Sequence, residues 1–140
     1  MAIPHARPLD VVSVAPLGGA LRDAVSTSLL KTDRMQLLHL VLPARSQRPE
    51  HQVDDECSIH CLEGDVEVMM PGGVRRLGAG ELVVLPAHQR HSLSARVDSA
   101  VLMTLLLHHG DAGSAANALT PTNVAAPGGH RPDRKRCSRP

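Results

Sequence analysis

The feature that most limits what this chain can fold into is its punctuation. From residue 35 to residue 107 it runs as segments of four to eight residues separated by Gly, Pro or Asp-Ser turns. Met35 to Leu42 is apolar and ends at Pro43; Glu56 to Leu62 and Asp65 to Met70 alternate polar with apolar, the second stopping at Pro71-Gly72-Gly73. Val74 to Leu77 ends at Gly78-Ala79-Gly80, Glu81 to Leu85 at Pro86, His91 to Val97 at Asp98-Ser99, and Ala100 to Leu107 closes the series. Runs this short and alternating are strands, and many of them in succession predict an all-β sandwich or barrel. A turn or two of helix near Ala20 to Ala24 is the only other element expected.

The core of that barrel must be built without rings. The 140 residues contain no Phe, Trp or Tyr, so Leu, Val, Ile, Met and Ala have to fill it. The same absence excludes aromatic stacking as a way to grip a sugar, a base or a flat cofactor. The length fits one domain. Residues 1–10 read as an extended arm and 11–107 as the barrel. Residues 108–140, rich in Gly, Ala, Pro, Ser and Thr, read as a disordered tail with a basic end. Residues 1–130 carry 10 basic and 13 acidic side chains, a balance that argues against nucleic acid as a partner. The run Val101 to Leu107 is too short to cross a bilayer, so no membrane role is expected. No signal peptide is visible at the N-terminus. Three cysteines, Cys57, Cys61 and Cys137, are too few and odd in number for a disulfide framework. A cytoplasmic location is the expectation.

Two segments resemble the paired motifs of the cupin superfamily. The second is the better match: Gly80, five residues, Pro86, one residue, His88, two residues, His91. It departs from the family by His88 in place of Gly and Ala95 in place of a final Asn. In the first, Pro49-Glu50-His51 keeps only the second histidine of His-x-His; Glu56 follows after four residues, and Gly64 after seven where the family has six. Cys61 to Val68 reads as strand, Glu-Gly turn, strand. The resemblance spans about 60 residues, Leu42 to roughly Leu105, and implies a cupin-type double-stranded β-helix, a jelly-roll barrel.

The resemblance also implies a divalent metal (Fe, Zn, Mn or Ni) inside the barrel, held by His51, Glu56 and His91. Two imidazoles and a carboxylate form a facial set that suits first-row metals and leaves positions open for substrate. Strand parity questions one member. His91, Leu93, Ala95 and Val97 share an apolar face, so His91 points inward. Cys57, Ile59 and Cys61 share the apolar face of their strand, which puts Cys57 inward and Glu56 outward. Counting back seven residues from Gly64 also lands on Cys57. A thiolate ligand and a bulge that turns Glu56 inward both remain open. Cys57 and Cys61, about 13 Å apart on one strand, cannot bridge and read as small core residues.

His88 and Arg90 precede His91 and are candidates for lining the ligand pocket, Arg90 as a holder of an anion; an exposed loop residue is the plainer reading of each. His39 and His60 are expected to face solvent or a partner. The functional expectation is a small-molecule-binding cupin of sensing or accessory role, with or without a metal. The alternative is a metal-dependent enzyme, an Fe(II) dioxygenase or isomerase acting on a small aliphatic or acidic substrate. A homodimer is implied by the family, with Met35 to Leu42, apolar on both faces except for Gln36 and His39, as a strand buried on both sides.

Overall fold

The computed structural model describes residues 5–107. A 3-10 helix, Gly18–Asp23, leads into nine strands: β1 (Thr27–Lys31), β2 (Met35–Leu42), β3 (Gln47–His51), β4 (Cys57–Glu63), β5 (Asp65–Met70), β6 (Gly73–Gly78), β7 (Leu82–Leu85), β8 (His91–Ala95) and β9 (Ser99–Leu106). They form a five-stranded sheet, β1-β2-β9-β4-β7, and a four-stranded sheet, β3-β8-β5-β6. The strand pairs within them are antiparallel.

The alternation anticipated from the sequence places the core between the sheets. Leu38, Leu40 and Leu42 of β2, Ile59 and Cys61 of β4, and Val101, Met103 and Leu105 of β9 are buried from one side; Val66 and Val68 of β5 and Leu93 of β8 meet them from the other. Aliphatic side chains fill the interior, as a chain without rings requires. Their burial, at about 1.5–3 kcal/mol for each large side chain, is the main force closing the sandwich.

Two strands escape the sequence reading. β1, Thr-Ser-Leu-Leu-Lys, is short and half-buried. β3, Gln-Arg-Pro-Glu-His, is largely polar and contains a proline; it is tolerated because β3 is an edge strand, where a missing N–H leaves no ladder gap. The first of these supplies one of the two neighbours of Met35 to Leu42. That strand is buried on both sides by β1 and β9 of its own sheet, so it offers no free edge to a second copy. His39 is likewise not exposed: it sits opposite Thr27 of β1 and is 9% accessible. Burial lowers its pKa, with Glu63 pulling the other way. His60 is half-buried on β4.

Ala6 forms an isolated bridge to Leu30, its N–H donating to the Leu29 carbonyl at 2.8 Å, so the end of the N-terminal arm lies along β1. The tail expected at 108–140 lies outside the described residues, as does Cys137. No helix among the described residues is long and apolar enough to cross a membrane.

Candidate ligand site at one end of the barrel

β3 ends where β4 begins, through residues 52–56, and β7 ends where β8 begins, through residues 86–90. The two connections lie at the same end of the barrel because β4 pairs antiparallel with β7 and β3 with β8. The His88 N–H donates to the Val53 carbonyl at 2.9 Å and ties one connection to the other. Val53, 2% accessible, is buried beneath them.

His51 and His91 are direct cross-strand partners at that end. Their ring centroids lie 4.5 Å apart with the planes tilted by 56°. His91 faces inward, as parity predicted, and is fully buried. His51 reaches the same place by a bulge. Arg48 pairs with Leu93 and His51 with His91, so three residues on β3 span two on β8. The extra residue reverses the alternation, bringing both Arg48 and His51 to the side of Leu93 and His91 and leaving Pro49 and Glu50 exposed.

The hydrogen bonds fix what each ring presents. His51 Nδ1 is 3.1 Å from the Pro49 carbonyl and His91 Nδ1 is 3.0 Å from the Gln89 carbonyl. A carbonyl only accepts, so Nδ1 carries the proton in both rings and Nε2 keeps its lone pair. Both Nε2 atoms are buried, and neither has a partner among the described residues. Burial lowers the pKa of both rings; for His51, the neighbouring His91 and Arg48 lower it further, against the opposing effect of the Pro49 carbonyl. The result is a pair of neutral imidazoles whose acceptor atoms are desolvated and unused. Each such atom costs about 1–3 kcal/mol, a cost that a bound group could remove.

Two further polar atoms near this end lack partners among the described residues. Arg48 is half-buried, its Nε is shielded from solvent without an acceptor, and it forms no ion pair among the described residues. Gln36 of β2 is level with Leu105 of β9, which is level with Cys57 of β4. The amide of Gln36 donates to Ser28 Oγ at 2.8 Å, while its Oε1 is unsatisfied. Sequence parity hides Arg48: three residues from His51, it would fall on the opposite face of a regular strand. Only the bulge puts the two together.

The remaining sequence candidates are distributed as follows. Cys57 points inward and is 2% accessible, and burial pushes its thiol up to about 11, which keeps it protonated near neutral pH. Glu56 is exposed, so the inward-turned Glu56 does not occur; its backbone N–H donates to Asp55 Oδ1 at 2.8 Å. His88 and Arg90 are both exposed. Arg90 grips Glu50, with Nε to Oε2 at 3.1 Å and Nη2 to Oε1 at 3.4 Å, which engages the charge proposed for an anion. Cys61 is buried and, like Cys57, unbridged.

Solved structures share this architecture. A cupin superfamily protein from Desulfitobacterium hafniense matches with a TM-score of 0.58 and 18% identity, covering 60% of this chain and 77% of its own. An RmlC-like cupin from Desulfovibrio desulfuricans matches at 0.54 and 25% identity over 59% of this chain and 80% of its own. KdgF from a Halomonas species matches at 0.54 and 24% identity over 58% and 76%. The fold is that of a cupin. No protein-family model and no curated protein sequence matches the chain.

The departures from the cupin motifs now have physical readings. His88, standing where the motif has Gly, adopts φ +64°. This left-handed conformation favours Gly, but His adopts it more readily than most residues. Pro49, standing where the motif has its first histidine, lies in the bulge and leaves the site one imidazole short. The cupin metal set was tested against the side chains present. No group of three or more His, Cys, Asp or Glu among the described residues is placed to hold an ion. Two imidazoles with fixed tautomers are suitable donors, but Glu56 points away and neither Cys57 nor another His, Cys, Asp or Glu among the described residues is grouped with them as a third ligand. The three-ligand set that the motif implies therefore does not fit this barrel.

Proposed function

We propose that this cupin is a small-molecule-binding protein of sensing or accessory role, with His51 and His91 as the polar recognition point at the inner end of its barrel. The observation that supports it is the pair of buried, unpartnered Nε2 atoms on rings 4.5 Å apart. Native proteins leave few buried acceptors unsatisfied, and two side by side on neutral rings call for a donor from outside the chain. The absence of aromatic side chains favours an aliphatic ligand over a flat one.

The metal-dependent enzyme is the second reading. It is favoured by the Nδ1 bonds to Pro49 and Gln89, which aim the Nε2 lone pairs as in metal-binding histidines, and opposed by the missing third ligand. Metal quantification on protein purified without chelator separates the two. The enzyme reading expects about one equivalent of metal, lost in His91→Ala; stoichiometry near zero, or unchanged in that variant, would overturn it.

A homodimer is also proposed. The edge strand β7 supports it, since Leu82 and Val84 are 55% and 58% accessible on its outward face. Light scattering is expected to return the mass of two chains; a mass near 15 kDa, that of a single chain, would refute it.

A further inference from the structure

We propose that the ligand of this site is a small aliphatic hydroxy acid carrying a single negative charge, anchored through its carboxylate by Arg48 and donating its hydroxyl to the imidazole pair. The inference rests on the reading of His51 and His91 as a ligand site and adds the chemical class of what enters it.

Arg48 is a charged group of this end. A guanidinium is always charged, and a shielded N–H left without an acceptor costs free energy. Arg48 is half-buried, its Nε N–H is shielded without an acceptor, and no carboxylate among the described residues pairs with it. Burial lowers its pKa. Arg90, Arg76 and Arg96, by contrast, all hold carboxylates at the surface. The register places Arg48 opposite Leu93, one of the most deeply buried residues of β8, and on the same side as His91. Arg48 and His51 lie on one strand, and the bulge between them turns both to the same face.

The groups presented define a complementary molecule. Arg48 offers N–H donors and one positive charge, which a carboxylate meets. The two Nε2 atoms offer lone pairs only and require an O–H or N–H donor. Arg48 brings one positive charge to the face that carries the two rings. That balance favours a monoanionic carboxylate over a dianionic phosphate, and a hydroxy acid combines the anion and the donor in a small aliphatic frame.

The test uses glycolate as the smallest such acid and glycolamide as its uncharged counterpart, each titrated into the full chain while the ring nitrogens of His51 and His91 are followed by NMR. Inorganic phosphate is a third arm. Glycolate is expected to shift both rings saturably, with glycolamide and phosphate at least tenfold weaker. Arg48→Met, which keeps the apolar stem, is expected to weaken glycolate at least tenfold while the amide spectrum away from β3 and β8 is retained. Arg48→Lys, which restores charge without the planar fork, is expected to recover part of the loss. Glycolamide or phosphate binding as well as glycolate, or Arg48→Met binding glycolate within threefold of the unaltered chain, would overturn the assignment while leaving the imidazole pair as a ligand site. If none of the probes moves the rings, the hydroxy-acid assignment falls. The reading beneath it is decided separately, by which ring nitrogens carry protons in the free protein.

Discussion

Gly64→Ala is expected to destabilise the domain by about 3 kcal/mol or more, enough to unfold much of the population of a marginal domain at physiological temperature. Gly64 makes the turn between β4 and β5 at φ +98°, a conformation that costs any residue with a Cβ. The added carbon would also have nowhere to go. It would collide with Ser99 Oγ, lie 2.6 Å from Ser99 Cβ and lie 2.7 Å from the Asp98 carbonyl. Ser99 cannot move aside without loss: it is fully buried, its hydroxyl donates to the Val97 carbonyl at 2.7 Å, and it accepts from the Asp65 N–H at 3.0 Å. The turn from one sheet to the other is thus packed directly on the start of β9. Gly72→Ala is the control, since an added Cβ there meets nothing within 4 Å; it is expected to stay within about 0.5 kcal/mol. Urea denaturation midpoints compare the two. Equal, small effects would show that the β4–β5 turn is not the constraint described.

The second large effect is expected from pH. His39, His51 and His91 all have pKa values lowered by burial. A lowered pKa means that, below the ordinary histidine range near 6.5, the unfolded chain takes up protons that the folded chain refuses. Stability is then fully present above that range and is lost as pH falls through it towards the folded values. The loss is at most about 1.4 kcal/mol per pH unit for each group. Urea midpoints are expected to drop steadily between pH 7.5 and 5.5, and the drop is expected to be shallower in His91→Leu, which removes one contributor. A midpoint that rises on acidification, or a slope unaltered in His91→Leu, would mean that these rings are not buried as neutral groups.

Much of the fold was legible because its signals are local. β4, β5 and β8 alternate, β2 and β9 read as short apolar runs, and Pro43, Pro71 and Pro86 lie where strands stop. Counting by twos favoured Cys57 inward and Glu56 outward but left a bulge open, and the structure decides for the parity reading, with Cys57 buried and Glu56 exposed. What was not legible depends on partners far along the chain. β3 looks like a polar loop, Gln-Arg-Pro-Glu-His, and becomes a strand only because β8 accepts it at an edge. The bulge between Arg48 and His51 is a property of that pairing, and without it Arg48 points to solvent on paper. Arg90 drew attention by its nearness in sequence to His91, yet Glu50, brought alongside by the same pairing, engages it at the surface. The site was therefore half visible: its two histidines could be read, and its charged neighbour could not.

The account depends most on the protonation of two rings. Long-range nitrogen–proton NMR of the histidine side chains, recorded on the ligand-free protein near pH 7, reads it without any assumption about the ligand. His51 and His91 are expected to be neutral, with the proton on Nδ1 and a bare Nε2 in each. A proton found on Nε2 of either ring, or a positively charged imidazolium, would contradict the claim that this barrel holds two acceptors in waiting.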